Sequence, residues 1–191
     1  MSTHGLMSRR SRASVFVALT ALVTASAFAQ TSYQPTEIEV KAAFLYHFAQ
    51  LVTWPEGVES DPDAPMVIAI VGPDPFGEKL EATIGDQKVK GHPLKIVRVA
   101  SASELTTSPQ IVFVGAADRY DIDKALTALG KTPVLTVSAA NGFARKGGMI
   151  EFRLTRDRRV TFDINVQAAA SAGLKMSSQL LKIAHIVEPS R

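Results

Sequence analysis

The chain has 191 residues, 46% of them hydrophobic and 20% charged, and it contains no cysteine. That is enough apolar material for the core of one domain, and it excludes a disordered chain and a disulfide-stapled one. The formal net charge of +3 comes from Arg9, Arg10 and Arg12 in a leader segment; without them 18 basic residues face 18 acidic ones, which leaves no basic surface for nucleic acid.

Residues 1–29 have the three parts of a secretory signal: the arginines, an apolar run over 13–23, and Ala27-Phe28-Ala29 before Gln30. The run is well short of the ~20 residues of a membrane-spanning helix, so cleavage after Ala29 is predicted, leaving a domain over 30–191. No lipid-attachment cysteine follows, and the mature protein is expected to be soluble in the periplasm.

Thr36 and Glu39 stand three apart as a capping box. Behind them Val40, Ala43, Phe44, His47, Phe48 and Leu51 mark one face of a helix predicted over 37–53, which Pro55 ends. The proline-rich, acidic stretch 56–65 is a surface loop. The unbroken apolar run 66–72 has the length of a strand buried on both faces of a parallel sheet. A helix over 76–84 stops at Gly85, and shorter strands over 87–90 and 94–99 flank the Gly91-His92-Pro93 turn. A second buried strand over 110–115, a helix over 122–129 ending at Gly130, and a strand over 133–138 continue the strand–helix alternation of right-handed crossovers. Residues 149–154 and 160–164 alternate polar with apolar around the charged turn 156–159, the pattern of a hairpin with one buried face. Asn165 then caps a helix carrying Val166, Ala169, Ala170 and Leu174 at helical spacing. The fold class is therefore a single α/β domain: a mostly parallel sheet with helices on both faces, closed by a C-terminal hairpin and helix.

The run Gly147-Gly-Met-Ile-x-Phe152, the charged turn, Phe162-x-Ile-Asn165, Ala172-Gly-Leu-Lys-x-Ser-Ser178 and Leu180-Leu-x-Ile-Ala184 resembles the C-terminal signature of the YfiR-like family of secreted bacterial proteins. Lys41-Ala-Ala-Phe-Leu-Tyr-His-Phe48 with Trp54-Pro55 is similar to the family's N-terminal helix, and Gly72-Pro-Asp-Pro-Phe-Gly77 with Leu80 agrees. The resemblance implies a periplasmic regulator that represses a membrane-bound signalling enzyme, a diguanylate cyclase, by protein contact, and it also suggests a homodimer. Some members carry disulfides; with no cysteine in this chain, redox control cannot be transferred to it.

Enzyme chemistry finds little footing. The Gly72–Gly77 loop lacks the Lys-Ser/Thr of a phosphate cradle, and Pro73 and Pro75 remove two of the N–H groups it would need. His47, His92 and His185 lie in separate elements without metal-ligand spacing, and there is neither a Gly-x-Ser-x-Gly elbow nor a cysteine nucleophile. The reading is a non-enzyme without metal or cofactor. The alternative, from a different class, is a small-molecule binding protein serving a receptor or transporter.

For such a ligand the carboxyl ends of the parallel strands are the expected place, near Asp74, Phe76, Asp118 and Asn141; Phe76 could equally pack beneath a rigid turn. Tyr46, His47 and Trp54 are aromatic candidates for a partner surface or for the core. Arg153 belongs to the one basic concentration, with Arg145, Lys146, Arg156, Arg158 and Arg159: a solvated hairpin tip, or a surface for an acidic partner or anionic headgroups. Phe44, Tyr46, His47, Phe48 and Leu51, and again, after Gly173 interrupts the last helix, Leu174, Met176, Leu180, Leu181, Ile183 and Ile186, exceed the apolar stripe that one packing face requires. The first or last helix is thus expected to meet a second copy or the partner, with Leu181 as its probe.

Overall fold

The computed structural model describes residues 33–58, 61, 63–116 and 119–188, with only the backbone of 119 and 120. The leader 1–29 and Asp118 lie outside them. In chain order the elements are α1 (Glu37–Leu51), β1 (Val52–Thr53), β2 (Met66–Val71), α2 (Lys79–Ile84), β3 (Lys88–Val89), β4 (His92–Val99), β5 (Ile111–Val114), α3 (Arg119–Leu129), β6 (Leu135–Ser138), β7 (Ile150–Leu154), β8 (Val160–Ile164), α4 (Val166–Ser171), β9 (Lys175–Met176), α5 (Ser178–Ile183) and β10 (His185–Ile186).

Eight strands form one sheet in the order β10-β8-β7-β6-β5-β2-β4-β3. From β4 to β7 every pair is parallel. At one end β3 is antiparallel to β4; at the other, β8 returns antiparallel to β7 and β10 adds in parallel to β8. The apolar run behaves as its composition demands, since all six residues of β2 are buried with parallel neighbours on both sides. Successive side chains go to opposite faces. Met66, Ile68 and Ile70 join the core that α1, α2 and α5 cover, whereas Ala69 and Val71 join Ile122, Ala125 and Leu129 of α3 on the other. Helices on both faces make the three layers.

The capping box at the start of α1 is complete: the Thr36 and Glu39 side chains each accept from the other's backbone N–H. The apolar excess of this helix is used internally. Phe44 and Phe48 pack against Phe152 and Phe162 of the hairpin, with ring centroids 5.1–6.2 Å apart, near enough for edge-to-face and offset stacking.

Three expectations are corrected. The helix over 76–84 is shorter and begins at Lys79, because Gly77 at φ +54 completes a turn ahead of it. The last helix is two short ones: Gly173, at φ +77 and with Pro55 packed against it, turns the chain so that β9 can pair antiparallel with β1. The hairpin is not buried on one face alone, for Glu151, on its polar face, is 1% exposed.

Candidate functional site

The carboxyl ends of the parallel strands leave little room. Gly72 donates to the Val99 carbonyl at 2.9 Å, and Gly115 to that of Val71 at 2.8 Å. The backbones at Pro73 and Gly115 thereby approach so closely that a Cβ on Gly115 would lie 1.8 Å from the Pro73 carbonyl oxygen. The contact divides the strand ends into two cavities of about 160 and 290 Å³. Phe76, 3% exposed, packs edge-on against Phe113 at 4.8 Å.

Asp74 accepts from the Phe76 N–H and from Arg98 Nε, both at 2.7 Å. Arg98 also donates to the Gly77 carbonyl at 2.9 Å and to both carboxylate oxygens of Glu81. Asp74 and Arg98 therefore fasten the turn to β4 and α2, and Asn141 is exposed nearby in sequence to the cavity-lining Ala139 and Ala140. The hydrogen bond from Arg98 holds the Glu81 carboxyl below its ordinary value. A lowered carboxylate pKa adds stability that is present above the ordinary value and lost as pH falls through the lowered one. Arg98→Met should therefore reduce stability by no more than about 1 kcal/mol at neutral pH, the pair being half exposed. In urea titrations the difference from the parent should narrow below about pH 4.

The helix-one candidates separate. Trp54 is 5% exposed, its Nε1 donating to the Gln110 carbonyl at 3.2 Å, so it closes the core. The Tyr46 hydroxyl, with Gln87 Oε1 and the Lys88 carbonyl each 3.4 Å away, ties α1 to β3. His47, read from its spacing as part of the apolar face, is exposed.

At the other end of the sheet the structure assembles what sequence spacing did not. The registers Ser138↔Glu151, Glu151↔Asp163 and Asp163↔His185 place four polar side chains in a row across β6, β7, β8 and β10. Glu151, buried, accepts from the Gly142 and Ala144 N–H groups at 3.0 and 3.1 Å and so holds the loop after β6. Asn165 fastens the same loop from below, its amide donating to the Ala144 carbonyl at 2.8 Å while its oxygen caps α4. Two carboxylates directly opposite on a hairpin repel, and Arg153 answers both, one guanidinium nitrogen lying 3.3 Å from Glu151 and 3.5 Å from Asp163. His185 Nδ1 stands 3.4 Å from the second Asp163 oxygen, with its ring mostly in water.

On the opposite face of the same strands, the one that carries Phe152 and Phe162, apolar side chains reach the surface. Tyr33 aside, the large hydrophobic side chains exposed among the described residues are Leu154, Ile183 and Ile186, at 44%, 61% and 48%. They belong to β7, α5 and β10, the elements at this end of the sheet, where β10 is the outermost strand. Leu181, by contrast, is half-buried against the core. Glu151, Asp163 and His185 had not stood out in the sequence, because only the hairpin register brings them together.

No helix among the described residues is long and apolar enough to cross a membrane. Comparison with curated proteins gives no match. Among solved structures, a conserved domain protein from Vibrio cholerae shares 12% identity at a TM-score of 0.53 over 79% of this chain, and the L-Trp complex of an ABC domain from Streptococcus pneumonia shares 12% at 0.48 over 63%. This chain spans 60% and 55% of their lengths; at such identity the first likeness speaks for the fold alone. The sequence model of the YfiR/HmsC-like family matches residues 38–185, from α1 to β10. The chain therefore belongs to the YfiR/HmsC-like family.

Proposed function

We propose that this protein is exported, cleaved after Ala29, and represses an inner-membrane diguanylate cyclase by direct contact through the β8–β10 end of its sheet. The observation that carries the reading is that the large hydrophobic side chains exposed among the described residues, Tyr33 aside, all belong to elements at that end: Leu154 of β7, Ile183 of α5 and Ile186 of β10. A soluble domain normally buries side chains of this size unless a partner covers them. An outermost strand also offers unpaired backbone donors and acceptors to an added segment. The Arg153–Asp163–His185 row on the other face of the same strands supplies charged groups that orient a partner reaching round the sheet edge and select against wrong ones.

Ile183 is a cleaner probe than Leu181, because it is mostly in water and its replacement leaves the core alone. Ile183→Glu in the full exported chain should leave far-UV circular dichroism and light-scattering mass as in the parent. Cellular cyclic di-GMP should rise to the level of a strain lacking the protein. Unchanged cyclic di-GMP would sink the reading. A halved mass would instead assign the patch to a homodimer, the other expectation for this surface.

A further inference from the structure

A cavity of about 310 Å³ lies on the α3 side of the sheet, between the end of α3 and α4; of the residues described at the β10 end it shares only Asn165. Leu126, Leu129, Met149, Ala168 and Ala172 give it apolar walls. Within it Thr136, 4% exposed, uses its hydroxyl oxygen to accept from the Met149 N–H at 3.0 Å; the hydroxyl proton remains to be donated.

Lys131 and Lys146 both contribute to the lining, and none of the lining residues is acidic. Neither lysine has an ion-pair partner among the described residues. Lys146 is half-buried, and an ammonium partly withdrawn from water beside apolar walls gains from a counter-charge. Size, apolar walls and a few convergent polar groups are the attributes of a small-molecule site.

We infer that this cavity binds a small amphipathic anion, an organic carboxylate with a compact apolar body. The body packs on the α3 leucines and α4 alanines, and the carboxylate is taken by Lys131 and Lys146. This goes beyond repression by contact and does not depend on it, since none of the contact residues proposed above lines the cavity.

The test uses octanoate, with octanol and octylammonium as its uncharged and cationic counterparts, titrated calorimetrically into the mature chain. Octanoate should bind at least about tenfold more tightly than either counterpart. Lys131→Ala combined with Lys146→Ala should bring octanoate down to the level of octanol, and Ala168→Leu, which fills the cavity, should weaken both. Equal binding of octanoate and octylammonium, octanoate unaffected by the double lysine change, or no octanoate binding at millimolar concentration would each overturn the inference. If a variant fails to fold by circular dichroism, the charge comparison on the parent protein decides alone.

Discussion

Glu151→Ala should destabilise the domain by about 2–5 kcal/mol, chiefly the cost of leaving two backbone amides without their acceptor. The number follows from what the carboxylate leaves behind. Gly142 and Ala144 donate to it from a loop that is partly buried there, and each amide left without an acceptor costs about 1–3 kcal/mol. Arg153 loses the nearer of its two carboxylates. Glu151→Gln keeps one acceptor oxygen but turns an N–H₂ toward N–H donors, so roughly half the loss is expected. Urea midpoints by circular dichroism measure both. An alanine variant within about 1 kcal/mol of the parent would mean that the loop finds other acceptors.

Gly115→Ala should be at least as damaging. The new methyl would sit 1.8 Å from the Pro73 carbonyl oxygen and 2.8 Å from its carbon, separations at which backbone must move. Gly72 allows no escape in that direction, since its φ of +81 is one that side chains disfavour and a Cβ there would lie 2.4 Å from the Gly115 carbonyl oxygen. The strand ends of β2 and β5 would splay, Phe76 would lose its seat on Phe113, and a loss of about 3 kcal/mol or more is expected. Thermal melts and proteolysis of the 72–77 turn report it. Unchanged melting with the turn still protected would show that Pro73 yields without cost.

Much of this fold was legible because its signals are local. The 66–72 run names a doubly buried strand, Thr36 and Glu39 name a helix start, and Asn165 names a cap; each feature depends on a single short stretch of neighbouring residues. Prediction fails where a distant neighbour decides. Gly173 marks the break in the C-terminal helix, but its packing on Pro55 and the pairing of β9 with β1, which split the helix in two, are contacts that no window of sequence contains. Trp54 resolves to the core, one of its two expected places, because Gln110 receives the indole; His47 is exposed because the periodic face that includes it is only partly covered. The polar row of Glu151, Asp163 and His185 was invisible until the hairpin register was known, since a one-residue slip would have sent Asp163 to the opposite face.

The aromatic clasp between α1 and the hairpin also decides when this domain can become stable. Phe44 and Phe48 find Phe152 and Phe162 only after roughly a hundred further residues have been added to the chain. Val52 pairs with Met176 across a longer interval still. Closing so large a loop costs entropy before any contact rewards it, so α1 packs first on α2 and β3 and gains its aromatic clasp only later. For a family whose members reach the periplasm, such lateness has a use. A domain whose aromatic clasp closes only with its last third stays easier to thread and to unfold until that third is in place.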